Sequence, residues 1–142
     1  MIKIYKAIIL PILEYASTVW SPSKVKQINR IERIQRKVTK FAFNWTSMYS
    51  YSERLEILKL PTLQWRRLHL DLLLTHKLVH GDEVYRKSLF ILHSETGRPN
   101  LRRHRYAIYK SIFHLDIYRN HFVNRVVDVW NALPRGAGWR SG

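Results

Sequence analysis

Apolar residues at Ile2, Tyr5, Ile9, Ile12, Leu13, Ala16 and Trp20 recur at steps of three and four, so the first twenty residues read as a helix with a broad apolar face. Pro11 lies within that pattern; having no N–H and a ring that crowds the preceding turn, it either kinks the helix or marks its true start. Ser21, Pro22 and Ser23 then supply a break and an N-cap before a second helix from about Lys24 to Trp45. The predicted apolar face of that helix is Val25, Ile28, Ile31, Ile34, Val38, Phe41, Ala42 and Trp45.

After a polar hinge at 44–50, Ser50 and Glu53 have capping-box spacing ahead of Leu55, Leu58 and Leu60, a short helix that Pro61 is expected to end. Thr62 is placed to cap a longer helix, LQWRRLHLDLLLTHKLVH, and Gly81 to stop it in the left-handed conformation. A weaker helical pattern runs from Asp82 to Leu92, and the Gly, Pro and charge density of about 93–105 predicts an exposed loop. Tyr106, Ile108 and Ile112 alternate loosely, which permits a short β hairpin around 104–113. Phe122, Val126, Val127, Trp130 and Leu133 return to helical spacing until Pro134, and 135–142 reads as a flexible tail. The pattern therefore predicts a mainly α fold, an irregular multi-helix array with one domain over 1–134.

Composition sharpens this reading. With 46% apolar residues in 142, five Gly, five Pro and no Cys, the chain is neither collagen-like nor disordered, and disulfides, thiolate chemistry and Cys-ligated zinc modules are excluded. Lys3 and Lys6 ahead of an apolar run resemble the start of a secretory signal, but Pro11 interrupts the run and Glu14 closes it. No stretch approaches the ~20 apolar residues of a membrane span. An intracellular chain without a membrane partner is expected.

Charge changes the picture most. Twenty-five Lys and Arg against ten Asp and Glu give +15, a balance that points to a polyanion. Lys24 to Lys40 holds seven basic residues against Glu32, and Arg98 to Lys110 holds five against none. In the first segment Lys26, Arg30, Arg33, Lys37 and Lys40 step by four, three, four and three, forming one stripe suited to tracking phosphates; Arg36 belongs to the same helix. A charged face is often only solvated, yet a nearly single-signed one carries self-repulsion that a bound anion relieves. Arg102, Arg103 and Arg105, with His104, Tyr106 and Tyr109 beside them, form a second candidate that either stacks on bases or is merely exposed.

Catalytic and metal chemistry find no support in the residues. His69, His76 and His80 share one helix face, but they lack the Glu of a HExxH motif and any Cys partner, so no metal or cofactor is assigned. Asp82 and Glu83 follow the helix-ending Gly, Asp116 and Asp128 are far apart, and no carboxylate cluster suits two-metal chemistry. No catalytic residue is assigned.

The order of segments carries more than any single one. Tyr5-Lys6, Pro11-Ile12-Leu13-Glu14-Tyr15-Ala16-Ser17, Val19-Trp20, Pro22, Ile31-Glu32, Gln35-Arg36-Lys37, Glu53-Arg54-Leu55, Leu60-Pro61-Thr62-Leu63 and Arg66-Arg67 are followed by Lys77, His80-Gly81, Phe122, Arg125-Val126-Val127, Trp130-Asn131, Leu133 and Pro134. This colinear series resembles the C-terminal part of reverse transcriptases from LINE-type (non-LTR) retrotransposons. The resemblance implies a thumb and helical extension that grips a template-primer duplex, with RNA, DNA or an RNA/DNA hybrid as partner and a complete reverse transcriptase as a further one. The chain departs from those polymerases in lacking the aromatic-x-Asp-Asp signature, with no Asp-Asp pair anywhere, and in showing Thr96-Gly97-Arg98-Pro99 where a Thr-Arg-Gly order is expected. The expected function is sequence-tolerant nucleic-acid binding by a thumb-side fragment with no polymerase activity of its own, in nucleus or cytoplasm. The alternatives are a helical protein–protein interaction module and a translated mobile-element remnant without selected function.

Overall fold

A computed structural model describes residues 1–43, 48–97, 104–110, 118 and 120–134. Trp45, Arg102, Arg103, the far side of the expected hairpin and the 135–142 segment lie outside them. The fold is mainly α; among the described residues the only β feature is an isolated antiparallel bridge between Leu92 and Ile108. The chain groups into two compact units, Met1–Leu70 and Asp71–Gly142.

In the first unit, helix α1 runs through Ile2–Ile4, a π turn at Tyr5–Ile9 and Leu10–Glu14. The Leu10 N–H bonds the Tyr5 carbonyl, one residue beyond α-helical reach, and this wider turn lies directly before Pro11, where it makes room for the ring. Pro11 thus stands in the first turn of the α-helical segment Leu10–Glu14 and does not break the helix. The break comes at Ala16, whose φ of +50° turns the chain into the short α2, Ser17–Trp20. Tyr5, Leu10, Ile2, Ile9 and Leu13 enter the core, whereas Ile12, Ala16 and Trp20 of the predicted face are exposed.

Helix α3, Val25–Ala42, is the predicted second helix, with Lys24 rather than Ser23 at its N-cap and no side-chain cap. Its buried positions correct the predicted face: Glu32, Gln35 and Thr39 are buried, Ile31 and Val38 pack beside the core, and Val25, Ile34 and Phe41 are exposed. Polar side chains can occupy these positions because their bonding groups are met, those of Glu32 and Gln35 from other elements and the Thr39 hydroxyl by the Arg36 carbonyl of the same helix. The Tyr5 hydroxyl donates to Gln35 Oε1 at 2.5 Å, and Gln35 Nε2 donates to the Pro61 carbonyl at 2.9 Å.

Helix α4, Tyr51–Leu58, opens with the predicted capping box of Ser50 and Glu53. It ends before Pro61 acts: Lys59 turns left-handed at φ +49°, and the Leu60 N–H reaches back to the Leu55 carbonyl at 2.9 Å. Helix α5, Leu63–His80, is capped by Thr62, whose Oγ1 accepts from the Trp65 N–H at 3.2 Å. Gly81 does not take the left-handed conformation expected of it. Its role is steric, since a Cβ there would stand 2.6 Å from the Lys77 carbonyl oxygen.

The second unit is built on the C-terminal part of α5, helix α6 at Glu83–Leu89 and helix α7 at Phe122–Asn131. Val79, Phe90, Leu92, Ile108, Phe122, Val126, Val127 and Trp130 form its core. Trp130 is 1% exposed and donates from Nε1 to the Tyr106 carbonyl at 2.8 Å. Asn131 pairs with both backbone groups of Ile108, accepting from its N–H at 2.9 Å and donating to its carbonyl at 2.8 Å, as a neighbouring strand would. Arg125 forks onto the buried Asp71 at 2.9 and 3.0 Å. Trp130 and Asn131 thus hold the backbone at Tyr106 and Ile108, and Ile108 bridges back to Leu92; the far side of the hairpin expected at 104–113 lies outside the described residues.

The expected exposed loop at 93–105 is partly built in. His93–Glu95 form a 3-10 turn, and Arg86 grips Glu95 in a two-pronged pair that, with the Leu92 N–H, holds the carboxyl down at a pKa of about 2. His104 is buried, with Nε2 3.0 Å from the Trp130 carbonyl, so it is a core residue and not a base-stacking one.

Candidate nucleic-acid interface

The site candidates on α3 are Lys26, Arg30, Arg33, Arg36, Lys37 and Lys40, and all six are exposed. At 3.6 residues per turn, Lys26, Arg30, Arg33, Lys37 and Lys40 occupy an arc of about 80°, centred about 145° round the helix from the side that buries Glu32, Gln35 and Thr39. Their span is about 21 Å, roughly the axial length of six nucleotides along one strand. Lys26, Arg30, Arg33 and Lys37 form no ion pair with a carboxylate among the described residues. Glu32 is the helix's only acidic residue, and it faces inward, so the outward face carries one sign of charge.

Arg36 stands apart from this stripe, with its guanidinium 4.8 Å from the centre of the Tyr51 ring. Arg105 belongs to the second unit and lies over the Tyr106 ring at 5.6 Å. Arg102 and Arg103 are outside the described residues. Of the nine candidates, then, five form one surface.

The histidines are engaged with rings. His69 stacks on Trp65 at 5.0 Å, and His76 on His80 at 4.2 Å. Burial, and then the neighbouring His80, disfavour protonation of His76. Among the described residues no group of three or more His, Asp or Glu is arranged to hold a metal. No helix among them is long and apolar enough to cross a membrane.

Hydrophobic spacing alone does not reveal the support beneath the stripe. Glu32 accepts from the Tyr51 hydroxyl at 2.5 Å and from the Leu63 N–H at 3.1 Å, so a carboxylate of α3 caps the first turn of α5. Burial, followed by bonding to Glu32, pushes the Tyr51 phenol above its ordinary pKa, and burial beside Glu32 does the same to Tyr5. Glu14 and Arg66 add a two-pronged ion pair between α1 and α5. The i, i+3, i+7 spacing of Glu32, Gln35 and Thr39 puts them on one side with Ile31 and Val38, but spacing alone does not mark that side as the buried one. Glu32→Ala strands the buried Leu63 N–H and the half-buried Tyr51 hydroxyl and is expected to destabilise the fold by about 3 kcal/mol, while Glu32→Gln, which keeps an acceptor oxygen, costs less. Urea midpoints of the two variants measure this; equal midpoints for Glu32→Ala and the unaltered protein would remove Glu32 from its structural role.

Comparison of the chain with protein-family models, with curated proteins and with solved structures finds no match.

Proposed function

We propose that this chain binds nucleic acid without reading its sequence, as the thumb-side portion of a retrotransposon-type reverse transcriptase, and that it has no polymerase activity of its own. The observation that carries this reading is the single-signed face of α3, backed by a helix side fixed in the fold. A helix laid along a duplex reaches phosphates and, on RNA or hybrid duplexes, the 2′-hydroxyls of the wide minor groove, with no need for base contacts. The resemblance of the colinear segments to LINE-type polymerases supports the same partner, RNA, DNA or their hybrid, and a place of action in nucleus or cytoplasm. A complete reverse transcriptase as a further partner belongs to the same proposal.

Fluorescence anisotropy on RNA, DNA and hybrid duplexes over a range of salt tests it. Five phosphate contacts predict a slope of log K against log salt of about −4.5 on duplex DNA, and a shallower one on single strands. Binding that is absent or insensitive to salt would discard the proposal in favour of a helical protein-interaction module.

A further inference from the structure

Helix α5 ends on two histidines that nucleic-acid binding by α3 does not use. His76 and His80 are one turn apart, so they stand on the same side of the helix, and both are exposed. Their rings lie within 26° of parallel, with centres 4.2 Å apart. Each ring is also placed by an aromatic neighbour in the second unit: His76 meets Trp130 in an edge contact at 6.4 Å, and His80 lies against Tyr106 at 4.4 Å. A hydrogen bond inside the pair fixes its chemistry. His80 Nδ1 is 3.0 Å from the His76 carbonyl oxygen. A carbonyl only accepts, so Nδ1 carries the proton and the neutral ring has its lone pair on Nε2. Metal-binding histidines are held in this way, one ring nitrogen donating to a backbone carbonyl that sets tautomer and orientation while the other nitrogen meets the ion. Here the carbonyl belongs to the second histidine, so the bond that orients one ring also ties it to the other.

We propose that His76 and His80 together chelate a divalent transition-metal ion of the zinc and copper class, through one nitrogen of each ring. Spacing alone, without a HExxH glutamate, does not carry this reading; the bond that sets the His80 tautomer does. Tetrahedral zinc with Zn–N bonds of about 2.05 Å sets two ring nitrogens about 3.3 Å apart. Rings whose centres are 4.2 Å apart reach that separation by small side-chain rotations, with the backbone of the helix unchanged. Imidazole suits zinc and copper, whereas magnesium and calcium take oxygen ligands. No group of three or more His, Asp or Glu is arranged to hold a metal among the described residues, so the pair is a two-ligand site whose other positions go to water or to oxygens of a bound molecule. The two ligands come together only when this turn of α5 is helical, and the ion therefore stabilises the folded chain.

Isothermal titration of the untagged full chain with Zn²⁺ alone and with Cu²⁺ alone tests the site. One ion per chain is expected, held more tightly for copper, and binding about ten-fold weaker or worse in His76→Ala and in His80→Ala alike. His69→Ala and His93→Ala are expected to bind as the unaltered protein does. Circular dichroism of each variant shows whether it remains helical, and two further readouts report on the unaltered chain itself. Electron paramagnetic resonance of the copper-loaded protein is expected to show two imidazole nitrogens on the ion. Zinc in excess is expected to raise the melting temperature, by an amount that both alanine variants lose. No binding of either ion at about 1 mM, loss in only one of the two variants, or undiminished binding in both would overturn the proposal. So would a copper spectrum with a single nitrogen. None of these results depends on whether α3 binds nucleic acid.

Discussion

Replacing Trp130 by Ala is expected to lower the melting temperature of the second unit by well over 10 °C, or to leave it unfolded. The side chain is almost wholly buried among Val126, Val127 and their neighbours, and its truncation removes a large apolar volume from a small core. Such losses run at about 3 to 5 kcal/mol, and in a domain of this size each kcal/mol moves the midpoint by about 4 to 8 °C. The truncation also leaves the Tyr106 carbonyl without its indole N–H donor. Trp65→Ala is the matched control, because Trp65 is half exposed and its described ring contact is with His69. Thermal unfolding followed by circular dichroism separates the two; similar shifts for both would mean that α7 is not docked.

The second large effect falls on binding and should leave the fold intact. Arg30→Glu combined with Arg33→Glu changes the stripe by four charges, yet both positions lie opposite the side that holds Glu32, Gln35 and Ile31. Neutralising three phosphates of duplex DNA in place of five reduces the salt slope to about −2.7 and weakens binding about 60-fold at 0.1 M salt, before any repulsion by the new carboxylates is counted. The weakening is expected to be alike on every sequence, since phosphate contacts carry no base information. The same charge change at Arg102 and Arg103 is expected to cost less. Anisotropy at two salt concentrations, with circular dichroism to show an unchanged helix content, decides the matter; a doubly substituted α3 that binds as tightly as the unaltered protein would move the interface elsewhere.

Local spacing was enough to place α3, α4, α5, α7 and the stripe, though not the break at Ala16. The Ser50–Glu53 box, the Thr62 cap and the apolar run from Phe122 to Trp130 are short-range features, in which side chain and backbone partner lie within one or two turns of each other. The basic stripe was legible for the same reason: residues three and four apart share a helix face whatever the rest of the chain does. Which side of α3 would be buried was not legible, because hydrophobicity alone favoured Val25, Ile34 and Phe41 over Glu32, Gln35 and Thr39. Burying Glu32 and Gln35 is favourable only once Tyr5, Tyr51, Pro61 and Leu63 are brought up to meet them, across separations of up to 31 residues, while Thr39 bonds the Arg36 carbonyl of its own helix. The same holds for Asn131 on Ile108, 23 residues away, and for Arg125 on Asp71, 54 residues away. Periodicity therefore sets which residues share a face, while the partners that decide which face turns inward, and which apolar side of α1 is left uncovered, exist only after the chain has folded.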